Sequence, residues 1–232
     1  MVAASEQLLG IGLYTPAEAA FYARVSPQKL GRWVFGNKMG AAVFTAQRSG
    51  ETRDVSFLDF IQALSVRAVR TQYPEVPLTN IREAIREARN TYRTPFPLAV
   101  RKHRIYVRGR GLLIKVSVRD DDAELIELNR AHRGQRAFVQ VVECFVKDVE
   151  FDSISELAIR YTCFKSESGK VVMDPKVRMG EPLISGCGYS ALALAQAAKD
   201  EGGINAAART YGVSVKDIEV ACEYFDLLQP AA

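Results

Sequence analysis

The stretch Thr15-Pro16-Ala17-Glu18-Ala19-Ala20-Phe21-Tyr22-Ala23-Arg24-Val25-Ser26-Pro27-Gln28-Lys29-Leu30-Gly31-Arg32-Trp33-Val34 contains two helix starts in quick succession. Thr15 can cap a helix, Pro16 suits its first position, and Glu18 stands where a capping box places its carboxylate. Small residues at Ala17, Ala19, Ala20 and Ala23 let a second helix pack close. Val25-Ser26-Pro27 ends the first helix and caps another, on which Leu30, Trp33 and Val34 form an apolar stripe until Gly36-Asn37 stops it.

Two helices joined by so short a turn are the helix-turn-helix layout, whose second helix enters the DNA major groove. Its free face presents Gln28, Lys29 and Arg32, with Arg24 and Ser26 beside it and Lys38 just beyond. No acidic residue stands between Ala19 and Gln47. Arginine and lysine can read guanine, glutamine can read adenine, and a helix N-terminus tolerates phosphate. The same pattern also describes a plain helical hairpin with a solvated basic face.

On Tyr14-Thr15-Pro16-Ala17-Glu18-Ala19-Ala20 and Val25 to Trp33 the segment resembles the MerR-like winged-helix head of bacterial regulators. The family usually has glycine or a small residue before the turn valine, where this chain has Arg24. The resemblance implies a small β-wing over Ala41 to Arg53, turned at Gly40, Ser49 and Gly50.

Ser56 and Asp59 open a further helix, with Phe57, Ile61, Leu64 and Ala68 at helical spacing. Asn80 and Glu83 open the next, placing Ile81, Ile85, Ala88 and Tyr92 inward and Arg82, Arg86 and Arg89 outward, a face suited to DNA, an acidic partner or solvent. Pro95 and Pro97 close this part. Ile105-Tyr106-Val107 and Leu112 to Val116, separated by Gly109 and Gly111, predict a hairpin. Around it Arg101, Lys102, Arg104, Arg108 and Arg110 surround His103, either as a second phosphate contact or as a charge-guarded edge strand. Phe138, Val141, Val142, Phe145 and Val149 read as a helix face, and Ala158 to Phe164 as a strand. Asp120-Asp121-Asp122 with Glu124 reads as a turn rather than a magnesium site, because adjacent carboxylates point apart. No nucleophile elbow, phosphate loop or dinucleotide motif is present, so no catalytic residue, metal or cofactor is assigned.

The last third runs from Met173-Asp174-Pro175 through Gly180-Glu181-Pro182-Leu183-Ile184-Ser185-Gly186 into a helix capped by Ser190. Helices over Ile204 to Tyr211 and Val215 to Leu228, broken at Gly212, form a second helix-turn-helix pattern, with Ser214 and Asp217 as capping box and Ile218, Ala221, Cys222 and Phe225 as packing face. Over Val171 to Phe225 the chain is similar to bacterial proteins ending in the domain of unknown function 433, departing at Cys187 and Tyr189, where the family usually has threonine and an aliphatic residue. Head, connector and tail together resemble the VapB-type antitoxins of type II toxin-antitoxin systems. That resemblance implies a cognate VapC-like toxin, a PIN-domain ribonuclease, as partner, and operator DNA bound by the antitoxin.

Composition sets the outer bounds. The chain has 232 residues, 48% of them hydrophobic, with 31 Lys plus Arg against 27 Asp plus Glu. A folded protein follows, and disorder as the main state is excluded. The net charge of +4 resolves into +4 over residues 1–95, +3 over 96–165 and −3 over 166–232. On the last helix Lys216 stands against Asp217, Glu219, Glu223 and Asp226, so the N-terminal pair is the better phosphate-facing unit. Cys144, Cys163, Cys187 and Cys222 are too scattered for a disulfide framework and read as reduced, mostly buried thiols. The first twenty residues lack a signal-peptide pattern and no membrane span is visible, so the expectation is a soluble, cytoplasmic protein.

The expected fold is α+β, mainly α: a MerR-like winged helix-turn-helix head (10–95), a mixed α/β connector with a short hairpin (96–166) and a C-terminal helix-turn-helix bundle (167–229). The expected function is an antitoxin acting as a homodimer, with DNA contacts from Arg24, Ser26, Gln28, Lys29, Arg32 and Lys38, and toxin contacts from Lys176 and Arg178. The alternative is a stand-alone MerR-like transcription regulator whose second domain senses a ligand or oligomerises. A nuclease using Asp120 to Asp122 is a third reading.

Overall fold

The structure is a computed structural model that describes residues 12–38, 40–47, 53–116, 139–140 and 147–229. The fold is mixed α+β. The chain divides into two compact units, residues 1–147 with 151–158, and residues 148–150 with 159–232.

The first unit begins with β1 (Gly12–Tyr14), α1 (Pro16–Tyr22) and α2 (Pro27–Val34). Thr15 and Glu18 form the reciprocal capping box, and Ser26 accepts from the Lys29 amide to cap α2. Each satisfies amides that the first helical turn would otherwise leave without partners. Between the helices Arg24 takes φ +50, so the chain places a left-handed residue where glycine would sit without strain. Ala19, Ala20 and Ala23 are buried at the contact between α1 and α2, and Leu30, Trp33 and Val34 form the buried side of α2. Gly36 ends this region at φ +71. A Cβ there would lie 2.7 Å from the Ala42 amide nitrogen, so only glycine lets the following loop approach.

Next come β2 (Val55–Ser56), antiparallel to β1, then α3 (Phe57–Gln72) and α4 (Leu78–Tyr92). Ser56 caps α3 by accepting from the Asp59 amide, as its position predicts. The expectation of a one-sided apolar face does not hold: from Phe57 to Val66 every residue of α3 is buried, including Asp59, Gln62 and Ser65. A helix covered all round is the central element of a core rather than a surface helix. α4 starts at Leu78, without a side-chain cap, and not at the Asn80/Glu83 pair. Ile81, Ile85 and Ala88 do face inward, while Tyr92 is half-buried.

The predicted hairpin is β3 (His103–Arg108) and β4 (Gly111–Val116), closed by Gly109 and Arg110. β5 (Val139–Gln140) pairs with β3 on its other side. The helix expected from Phe138 to Val149 is overturned where the chain is described: Val139–Gln140 and Val149–Phe151 are both strands. An apolar run with several β-branched residues carries no helix period that survives a waiting sheet edge.

In the second unit, which holds all of these strands except the end residues Phe151 and Ala158, β6 (Val149–Phe151), β7 (Ala158–Lys165), β8 (Lys170–Met173) and β9 (Leu183–Ile184) form a sheet in chain order. The helices α5 (Ala191–Asp200), α6 (Ile204–Tyr211) and α7 (Val215–Leu228) follow, with the caps at Ser190 and Ser214 that the sequence predicts; α6 and α7 have the expected bounds, and α5 runs two residues past the expected end at Ala198. The packing face of α7 is rotated from expectation. Ile218 and Ala221 are buried, but the large buried ring is Tyr224 rather than Phe225, and Cys222 is half-covered. Tyr224 meets the Phe164 ring at 5.9 Å, which the helical repeat of α7 alone could not reveal. Gly186 abuts the α7 capping box: a Cβ there would fall 2.7 Å from Asp217 Oδ1.

Among the described residues no helix is long and apolar enough to cross a membrane.

Candidate nucleic-acid interface

Arg24, Ser26, Gln28, Lys29, Arg32 and Lys38 are all exposed. This follows from the helical period: burying Leu30, Trp33 and Val34 turns Gln28, Lys29 and Arg32 outward. Because no acidic residue falls between Ala19 and Gln47, no carboxylate of this segment neutralises the surface.

Beside α2 lies the loop over residues 40–47, and over these residues the structure departs from the expected β-wing; residues 48–52, the rest of the expected wing before Arg53, lie outside the described residues. None of residues 40–47 lies in a strand with ladder pairing; Gly40 makes a single bridge to Asn37. The backbone is satisfied by other means. The Val43 amide donates to the Trp33 carbonyl at 2.7 Å, and the Gln47 amide to Asp59 at 3.0 Å. From α4, Arg82 donates through Nε to the Ala42 carbonyl and through a terminal nitrogen to the Ala41 carbonyl, at 2.8 and 2.7 Å. Arg89 donates to the Thr45 hydroxyl at 2.6 Å. With its polar groups so engaged, the loop buries Val43, Phe44 and Ala46. Two of the three arginines read as an outward face therefore fasten the loop beside α2. Only a contact across some forty residues of chain could reveal that role.

Asp59, one of these fasteners, is buried, and burial holds its carboxyl above the ordinary value of 3.8, against the lowering effect of its hydrogen bonds with Gln47 and Ser56. Between 3.8 and its folded pKa the unfolded chain releases the proton first, so this group's contribution to stability falls as pH rises through that window. Asp59→Asn keeps an acceptor for the Gln47 amide and removes the titration. Thermal midpoints of the two proteins should diverge in the variant's favour as pH is raised from about 4 toward 7. A difference that does not change with pH contradicts this assignment.

Part of the basic cluster near the hairpin is occupied. His103 is buried, with Nδ1 2.7 Å from the Pro97 carbonyl and its ring 5.0 Å from Tyr92. Burial lowers its pKa, so it is not a cation at neutral pH. Lys102 pairs with Glu156, and Arg104 donates to the Arg101 carbonyl.

Lys176 and Arg178 lie in the second unit, both exposed on the loop between β8 and β9. Arg178, Met179 and Gly180 have successive φ values of +45, +56 and +85, two of them in residues that disfavour this region. Asp174 braces the loop by accepting from the Lys176 amide and from Arg160, while Arg178 pairs with Glu181 at 3.2 Å. Val177 and Met179 stand exposed at 46% and 60%, giving the loop an apolar tip whose residues alternate with Lys176 and Arg178 along the chain. Sequence reading missed that tip, because valine and methionine in a Gly/Pro-rich run carry no sign of which way they point.

No group of three or more His, Cys, Asp or Glu that could hold a metal occurs among the described residues, and Asp120 to Asp122 with Glu124 lie outside them. Cys163, Cys187 and Cys222 are free thiols, each covered over most of its surface without being fully buried, and Cys144 lies outside the described residues. Burial raises all three, Cys163 to about 12, so none is a ready thiolate.

No known protein family matches the sequence, and no curated protein does. A solved structure that the chain is similar to is the X-ray crystal structure of Rv2018 from Mycobacterium tuberculosis. The likeness has 22% identity and a TM-score of 0.64, covers 91% of this chain and 98% of that one, and establishes a shared fold.

Proposed function

We propose that the protein is a DNA-binding antitoxin of the VapB type, whose first unit reads operator DNA through a MerR-like helix-turn-helix and whose second unit grips a PIN-domain ribonuclease toxin. The observation that carries the DNA half is the joint exposure of Arg24, Ser26, Gln28, Lys29, Arg32 and Lys38 around a helix fixed by its buried side. Gln28, Lys29 and Arg32 are the base readers, Ser26 and the first turn of α2 meet phosphate, and Arg24 and Lys38 flank the groove. A homodimer on a roughly palindromic site is required, because one short helix spans too few base pairs for useful specificity.

The toxin half draws on the braced loop carrying Lys176, Val177, Arg178 and Met179. Exposed apolar side chains alternating with cations suit an acidic, magnesium-binding active site, and backbone strain of this kind gathers at binding loops. The alternative, a stand-alone MerR-like regulator, shares the DNA head and differs only in its partner.

Co-expression with the product of the adjacent reading frame tests the proposal. A stable complex, together with inhibition of that product's ribonuclease activity that Arg178→Ala weakens, is the expected result. Retained promoter binding without any such complex favours the regulator. Unchanged binding and inhibition by the Arg178→Ala protein removes that residue from the interface.

A further inference from the structure

The loop over residues 40–47 and the helix α4 enclose an open cleft of about 800 Å³ within the first unit. Among the described residues its wall contains five arginines, Arg53, Arg82, Arg86, Arg89 and Arg93, and no acidic residue. Among the described residues none of the five is in an ion pair. Arg82 and Arg89 donate to backbone carbonyls and a hydroxyl, bonds that fix the guanidinium groups without neutralising them. Arg86 and Arg93 are exposed, and Arg53 lies 5.7 Å over the half-buried ring of Phe35. The rest of the wall is mixed: Val34, Ala42 and Pro95 are apolar, while Thr45, Asn90 and Thr94 add polar groups.

This arrangement has a cost. Arg82, Arg86, Arg89 and Arg93 recur at helical spacing, so like charges face one another along α4 and its end, each close pair opposing the helix by a few tenths of a kcal/mol. An anion in the cleft converts that repulsion into binding. The volume is within the range of small-molecule sites, and planar guanidinium forks match phosphate oxygens two at a time. A flat aromatic or apolar wall beside them suits a base. A duplex backbone needs charge alone and would leave the apolar wall unused.

We propose that this cleft binds the phosphates and base of a nucleotide, and that the occupant is a free nucleoside polyphosphate held by Arg53, Arg86 and Arg93 with Phe35 against the base. The site is separate from the exposed residues of α2 and does not depend on the DNA reading proposed above.

The test uses the full chain and the fluorescent nucleotide mant-ATP, titrated at near-physiological salt, with thermal midpoints read in parallel. Saturable binding is expected, with displacement by ATP, weaker displacement by inorganic triphosphate and none by adenosine. The midpoint should rise with ATP, since a ligand that binds only the folded state stabilises it. Arg86→Glu, an exposed change that leaves the loop fasteners in place, should weaken mant-ATP at least tenfold while circular dichroism remains unaltered. Arg53→Ala should weaken ATP and leave the triphosphate's affinity less affected than Arg86→Glu does. No saturable binding below millimolar nucleotide overturns the proposal, as does binding that Arg86→Glu leaves unchanged. Binding of a short single-stranded oligodeoxynucleotide through Arg86, with no binding of free nucleotide, assigns the cleft to a nucleic-acid strand and also overturns it.

Discussion

Replacing Lys29 and Arg32 together with alanine should reduce operator affinity by about 2 to 6 kcal/mol, given about 1 to 3 kcal/mol for each residue that makes a good base contact. Both side chains are exposed, so the loss would come from DNA contacts and not from unfolding. Alanine also favours helix at least as well as lysine or arginine, so α2 itself should persist. Salt dependence separates the two ways of losing affinity. A phosphate contact lowers the slope of log affinity against log salt by about one when removed and weakens all sequences alike, whereas a base contact costs mainly the specific site. Electrophoretic mobility or fluorescence anisotropy with promoter DNA and scrambled DNA, at two salt concentrations, measures both. Operator affinity unchanged in the double variant would remove α2 as the reader.

The largest effect on stability should come from Trp33→Ala, at about 3 to 5 kcal/mol, the usual cost of emptying a large aromatic site in a core. Trp33 is 5% exposed and shares the buried face of α2 with Leu30 and Val34. Its carbonyl also accepts from the Val43 amide, so the residue anchors both the helix and the loop beside it. The cavity would loosen that loop together with the geometry of α2, and DNA affinity should fall with stability even though Trp33 itself touches no DNA. Urea denaturation followed by circular dichroism reads the stability change. Trp33→Phe, which keeps much of the buried area, should lose far less. A loss below about 1 kcal/mol for the alanine variant would mean that the site collapses without cost and that the loop is held by its hydrogen bonds alone.

The two substitutions probe opposite faces of one eight-residue helix, and the comparison between them is informative. On the proposed reading, one face carries stability and the other contacts DNA. If the exposed pair changed stability as much as Trp33, the assignment of faces would be wrong.

Local chemistry made much of this protein legible. Thr15 with Glu18, Ser26, Ser56, Ser190 and Ser214 with Asp217 each cap the helix their spacing predicts, because capping joins atoms only two or three residues apart. The hairpin at Gly109 and the stop at Gly212 are legible for the same reason, since each needs a backbone conformation that glycine adopts without strain. The solvent face of α2 follows from the positions of Leu30, Trp33 and Val34.

What only the tertiary structure decided lies in partners distant along the chain. Residues 41–47 contain small and β-branched residues that suit a wing strand, yet Trp33, Asp59, Arg82 and Arg89 provide their polar partners and no ladder forms. The strand Val139–Gln140 and the strand start at Val149 fall in a stretch that reads as helix because Phe138, Val141, Val142, Phe145 and Val149 recur at a spacing that fits a helix, and pairing with a neighbouring strand is not encoded locally. The same holds for the arginines of α4. Their spacing shows that they share a face, but whether that face meets water, a carbonyl or a ligand depends on a loop forty residues away in sequence. Short-range hydrogen bonding and helical period are therefore determined by sequence in this chain. Burial and charge environment are not, because both are set by neighbours that only folding brings together.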